Sequence, residues 1–216
     1  MTSRGTTIFL GKPAYAIGAL SIFLASALAA PAASAADDAR AFVADLGRHA
    51  IDIMKDRKIS VADRQHQFRT LMAEDFDLPK IAQYVLGSYW QNANETERQQ
   101  FTAAFGDYMT SLYSRRFAEY NVQSFRVTAQ QAASGTMTVV SSEITRVATG
   151  EEIDLDWTVA KTPDSYKVID ITAGGASLSQ AQRAEFSSVV QRNGDSVPNL
   201  IRQLQAKSIE MATWER

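Results

Sequence analysis

The sequence predicts an α+β domain in which a small antiparallel sheet of about four strands is covered by a helical layer. Three observations carry that reading. Apolar residues recur at helical spacing from about residue 38 to Tyr120. The period then drops to two between Phe125 and Ala173, and helical spacing returns from Leu178 onward. Helices, then a meander of strands, then helices is an α+β layout around one core.

The elements follow in order. Asp37-Asp38 supplies acidic residues at a helix start, and Phe42, Leu46, Ala50, Ile53 and Met54 mark the apolar side of a helix over 38–57. Ser60 is placed to cap a second helix by accepting from the backbone N–H of Asp63. That helix carries Val61, Phe68, Leu71 and Met72. Asp77 caps a third, with Pro79 at its second position and Gly87 as its stop. Asn94 and Glu97 form a capping-box pattern ahead of a long aromatic helix that runs to about Tyr120.

Strands come next. Phe125, Val127 and Ala129 alternate with polar residues, and the alternation over 136–147 slips at Val139-Val140, which predicts a bulge. In the strand Glu152–Lys161, Ile153, Leu155, Trp157 and Val159 share one face and Asp154 and Asp156 the other. A turn at 162–165 leads into Tyr166–Ala173, and Gly174-Gly175 leaves the sheet. Leu178, Ala181, Phe186, Val189 and Val190 lie on a further helix. Ser196 caps a last one, and a tail from Met211 is expected to fray.

Composition narrows the class. Residues 1–35 read as a cleaved secretory signal, with the basic residues Arg4 and Lys12, an apolar run from Ala14 to Ala30, and Ala33-Ser34-Ala35 before the cut. An uncleaved membrane anchor is the competing reading. Residues 36–216 then form a single domain, expected in the periplasm. The chain has 22 basic and 24 acidic residues; without Arg4 and Lys12, 20 remain against 24, a net charge of −4. Such a balance argues against nucleic acid as a partner. Cys is absent, so no thiol nucleophile or Cys-ligated metal is available.

The search for chemistry gives little. No nucleophile elbow, phosphate-binding loop or HExxH helix occurs. His49 and His66 each lie on an amphipathic helix without a partner nearby in sequence. The acidic run Glu74-Asp75-x-Asp77 crosses a helix end, where capping is the simpler role than metal binding. Asp170 sits in the apolar strand KVIDIT. It reads as a polar residue on the wet side or bonded to a neighbouring helix start, or as the general base of a small cavity enzyme. The expectation is that there is no catalytic residue, no metal and no cofactor.

The aromatic helix carries the strongest signal. Phe101, Phe105, Tyr108, Met109, Leu112, Tyr113, Phe117 and Tyr120 follow at spacings of one, three or four. Aromatic residues at this spacing commonly build a core. Here their number, and the share of Tyr, predict that this face lines an apolar cavity opposite the sheet. The predicted lining is Ile81, Tyr84, Val85, Phe101, Phe105, Tyr108, Met109, Leu112 and Tyr113 from the helices, with Ile153, Leu155, Trp157, Val159, Ile169 and Ile171 from the strands. Arg115, Arg116 and Arg183 are candidate contacts for a phosphate or a docking partner, with solvated surface as the competing reading.

FDLPKIAQYVLGSYW, RQQFTAAFGDYMTSLYSRRFAEY, LDWTV, YKVIDI and SLSQAQRAEFSSVVQRNG, in that order, resemble the toluene-tolerance family, the MlaC-type periplasmic phospholipid carriers. The resemblance spans nearly all of residues 36–216. Tyr113 keeps the family's Tyr, whereas Leu112 stands where Thr is common. The resemblance implies a shuttle that carries one phospholipid between an outer-membrane lipoprotein complex and an inner-membrane ABC transporter. It implies acyl chains buried between helices and sheet, a head group facing water, and no cofactor other than the phospholipid cargo. A one-lipid shuttle suggests a monomer. A relative handling another lipid, such as a hopanoid, remains an alternative within the same fold.

Overall fold

A computed structural model describes residues 35–56, 58–120 and 122–212. The expected signal segment, residues 1–35, lies outside the described residues except for its last one, and so does the tail 213–216. Four helices open the described chain: α1 (Ala35–Lys55), α2 (Val61–Asp75), α3 (Leu78–Leu86) and the single-turn α4 (Tyr89–Asn92). The long α5 (Glu95–Tyr120) leads into the sheet. Its strands are β1 (Val122–Ala132), β2 (Met137–Arg146), β3 (Glu152–Lys161), β4 (Tyr166–Ala173) and β5 (Ala176–Ser177). Two helices, α6 (Leu178–Arg192) and α7 (Val197–Ala212), close the fold.

The helix ends are set locally. Ser60 Oγ accepts from Asp63 N–H at 3.1 Å. Asp77 Oδ1 accepts from Lys80 N–H at 3.1 Å, and Pro79 occupies the first turn, where no N–H is needed. Asn94 and Glu97 exchange both bonds of the capping box, each at 2.9 Å. Gly87 ends α3 with φ +62, a conformation that strains any residue with a Cβ. At the other end of the chain α7 continues to Ala212 with Met211 packed on the core, so the frayed tail expected from Met211 does not begin there.

The sheet is an antiparallel meander in the order β1-β2-β3-β4-β5, one short strand more than the four expected. The bulge expected at Val139-Val140 is absent, because β2 pairs with β3 without interruption from Met137 to Thr145. Val140 faces inward beside Trp157, and Val139 pairs with Thr158 on the outer side. The register shifts lie elsewhere, between Val122 and Ser124 and between Val127 and Ala129 in β1, and opposite Thr158/Val159 in β4. The second leaves Thr128 unpaired and turns Ala129 out to solvent, against the expected alternation.

The cover of the sheet differs from expectation. The long aromatic helix α5 was expected to lie over the Ile153/Leu155/Trp157/Val159 face. Instead α1 packs on β1, β2 and β3, while α2, α3 and α6 pack against β4. The α5 helix pairs with α7 and packs on α2 and α3. Three contacts fix α1 in place. Arg40 Nη2 donates to Val127 O and Lys55 Nζ donates to Gln123 O, both at 3.0 Å. The ring of Phe125 lies directly over Gly47, where a Cβ would come within 2.4 Å of it. That ring stands edge-on to Trp157 at 5.9 Å between centroids. Gly47→Ala is therefore expected to force ring and helix apart, at a cost of about 1–3 kcal/mol. Urea unfolding checks it, and an unchanged midpoint would mean that the ring moves aside freely.

Candidate functional site

Where the middle helices meet the inner face of the sheet, the side chains do not close completely. An apolar cavity of about 130 Å³ remains. Its helical wall comes from α1 (Leu46, Ala50), α2 (Phe68, Leu71, Met72), the α2–α3 junction and α3 (Phe76, Leu78, Ile81), and α5 (Phe105, Met109, Tyr113). Leu155, Trp157 and Ile171 form the sheet side, and Asp170, Leu178 and Ser179 complete the lining where β4 meets α6. The junction is stitched to the sheet. Phe76 bridges to Val168, Asp77 N–H donates to Val168 O at 2.9 Å, and Lys167 Nζ donates to Glu74 O.

Of the predicted lining, Ile81, Phe105, Met109, Tyr113, Leu155, Trp157 and Ile171 do meet at this cavity. The others do not line it. Val85, Phe101 and Val159 are wholly buried in the packed core. Phe101 stacks on Phe105 at 6.0 Å and meets Phe186 edge-on at 6.1 Å, so α6 occupies the space the sequence reading left to a ligand. Tyr108 packs on the same Phe186 ring at 6.1 Å. Burial pushes its phenol above the ordinary pKa, with Glu185 adding to the shift and Arg116 opposing it. Tyr84 lies on the surface. Leu112 packs half-buried against the core away from the cavity, and Ile153 pairs with Ile144 farther along β3. Ile169 is the extra residue of the β4 bulge. Val168 therefore takes the inward position opposite Val159, while Ile171, opposite Trp157, reaches the cavity. The side chains of Phe117 and Tyr120 lie outside the described residues.

Trp157 is positioned from both sides. Its indole Nε1 donates to Ser142 Oγ at 2.8 Å on the neighbouring strand, and Ser142 is itself buried. A buried indole N–H needs such an acceptor. The three arginines have separate settings. Arg183 lies over the Tyr84 ring at 5.0 Å and donates to Tyr84 O, closing the end of α3 beside Gly87. Arg116 rests over the ring of Tyr113, a cavity residue, at 5.9 Å. Arg115 is half-buried on α5.

Asp170 is bonded to the start of α6, as one of its two sequence readings had it. Its Oδ1 accepts from Ser179 N–H at 3.1 Å and its Oδ2 from Ser177 O–H at 2.5 Å. Ser177 Oγ in turn accepts from Gln180 N–H at 3.1 Å. His49 and His66 sit on α1 and α2, and neither lines the cavity. Beside His49, the Asp75 carboxyl is held above its usual range, chiefly by partial burial; Glu74 adds to the shift, and Lys167 and His49 oppose it.

The sequence reading missed the share of α1 and α2 in the cavity: Leu46, Ala50, Phe68, Leu71 and Met72. Their periodicity showed an apolar side. Nothing in it showed that this side, instead of the α5 stripe, would lie against the sheet.

The architecture and the site together define a pocket protein of α+β fold, with an apolar hollow between a helical layer and an antiparallel meander. The family follows from comparison. The model of the MlaC protein family matches residues 45–206, and the chain belongs to that family. A solved structure of similar fold is the phospholipid-binding protein from Ralstonia solanacearum in complex with a phospholipid. It superposes with a TM-score of 0.69 at 24% identity, over 82% of this chain and 99% of that one. At that identity the likeness is one of fold. Among the described residues no helix is long and apolar enough to cross a membrane.

Proposed function

We propose that the protein is a periplasmic phospholipid carrier that holds acyl chains in the apolar cavity and passes the lipid between membrane-bound partners. The observation that carries this reading is the cavity wall, contributed by helices and sheet and apolar almost throughout. Membership of the MlaC family and the phospholipid held by the Ralstonia protein support it.

The energetics say what such a carrier must do. Each CH₂ exposed to water costs about 0.8 kcal/mol, so two chains with roughly thirty CH₂ groups would cost on the order of 25 kcal/mol to move bare. The protein has to remove nearly all of that. It need not outbind a bilayer, since both are apolar, and handing over the lipid is then close to neutral. Direction is set by the partners, an outer-membrane lipoprotein complex and an inner-membrane ABC transporter. No bond is made or broken. Ligand pockets commonly run to about 300–1,000 Å³, so a cavity of about 130 Å³ has to widen as the chains enter. The helices parting from the sheet would open it.

Native mass spectrometry of the protein purified from periplasm without detergent, followed by lipid extraction, tests the proposal. One diacyl phospholipid per monomer is the expected result. An empty protein that also takes up no lipid from labelled liposomes would overturn it.

A further inference from the structure

We infer that the cavity opens to water at the C-terminal end of α5, and that Arg116 there holds the phosphate of the cargo's head group. The inference rests on the phospholipid-carrier reading. Phe105, Met109 and Tyr113 line the cavity from α5 at intervals of four residues, which keeps them on one helical face. Arg116 stands three residues further on and continues that face by one turn. Exposure rises along it: Phe105 and Met109 are buried, Tyr113 is half-buried and Arg116 is exposed.

The sheet wall shows the same gradient in the same direction. Val159 and Trp157 are buried on the inner face of β3, whereas Leu155 and Ile153 towards its start are half-buried. The chain passes from Tyr120, the end of α5, to Val122, the start of β1, across a single residue. Val122 pairs with Arg146 at the end of β2, and Thr145 beside it pairs with Glu152 at the start of β3. Both walls therefore emerge into water at one end of the fold.

Arg116 is set for an anion at that end. Its guanidinium lies over the ring of Tyr113 at 5.9 Å from the centroid, and among the described residues it has no carboxylate partner. Stacking on a ring face leaves the fork of N–H donors open, and that fork matches two phosphate oxygens. Acyl chains laid against Tyr113 bring the phosphate out beside it. Arg183 has no such place, since it is held over Tyr84, which does not line the cavity. Arg115 is turned about 100° from Arg116 by the helix period.

The test is competitive uptake of phosphatidylglycerol and of diacylglycerol with the same acyl chains, present at equal minor fractions in phosphatidylcholine vesicles. Bound lipids are counted by mass spectrometry after re-isolation. Two unit charges a few ångströms apart in near-aqueous surroundings change an equilibrium by about fivefold. Arg116→Gln is therefore expected to lower the ratio of bound phosphatidylglycerol to bound diacylglycerol by about fivefold, with the unfolding midpoint unchanged. Arg116→Lys keeps the charge and should retain most of the ratio. Arg202→Gln, on the exposed side of α7 and outside the cavity lining, makes the same change in net charge and should leave it unaltered. Should Arg116→Gln fail to fold, salt decides. Raising ionic strength from about 0.01 M to 1 M shortens the screening length from about 30 Å to 3 Å, and the ratio for the unaltered protein must fall with it. A ratio that Arg116→Gln or salt does not move, or that Arg202→Gln moves equally, overturns this inference and leaves the carrier reading standing. Inorganic phosphate is the other source of the same chemistry. If its phosphorus resonance broadens with the unaltered protein but not with Arg116→Gln, while the lipid ratio stays put, the site takes the free anion and the head-group inference falls. Uptake of neither lipid overturns the carrier reading as well.

Discussion

Phe105→Ala is expected to lower the free energy of unfolding by about 3–5 kcal/mol. The ring is 1% exposed and belongs to a cluster in which Phe101 stacks on it at 6.0 Å and Phe186 meets it edge-on at 6.2 Å. Truncation removes the buried ring and leaves a void on two sides. On one side α3 already presses close, since a Cβ at the adjacent Gly106 would lie 3.4 Å from Leu78 Cδ1. On the other side the void runs into the cavity that Phe105 lines. Space that joins an existing hollow does not collapse readily, which places the cost at the upper part of the range for such truncations. Urea titration followed by circular dichroism measures it. A loss below about 1 kcal/mol would show that α5 shifts to fill the space, and that the Phe101–Phe105–Phe186 cluster is looser than its geometry implies.

The parts of this architecture legible in the sequence are those decided within a few residues. The caps at Ser60, Asp77 and Asn94–Glu97 each depend on an oxygen meeting an N–H three positions on, and each formed as read. The inward face of β3 was equally plain, because strict alternation admits only one assignment. The site was harder to read. Periodicity tells which side of a helix is apolar, and it is silent on which neighbour that side meets. Hence the stripe on α5 was set against the sheet when α1 lies there, and Phe101 and Tyr108 were assigned to the cavity although they pack on Phe186 away from it. The β4 bulge did leave a trace that the sequence reading passed over. KVIDIT breaks alternation at Val168-Ile169, and pairing with β3 sets Ile169 out of register at that point. Ser142, a buried hydroxyl on an otherwise apolar face, becomes intelligible only once the Trp157 indole is beside it.

Ala50→Phe separates the hollow from the core around it. Ala50 lines the cavity from α1 and is 6% exposed. An apolar cavity of about 150 Å³ accepts a benzene molecule, so the ring of a phenylalanine is close in size to the 130 Å³ available here. The added ring gains buried apolar surface, and the strain of placing it on a helix that already touches the sheet opposes that gain. The unfolding midpoint should therefore change by no more than the equivalent of about 1–2 kcal/mol. Lipid occupancy should fall by roughly tenfold or more, since displacing even a few methylenes into water costs over 1.4 kcal/mol. The pairing of the two readouts matters. Stability retained with lipid lost assigns the hollow to cargo. If lipid uptake persists with the ring in place, the acyl chains lie elsewhere. A stability loss comparable to that of Phe105→Ala would instead mean that the cavity walls cannot part, and the widening required for a two-chain lipid would be ruled out with them.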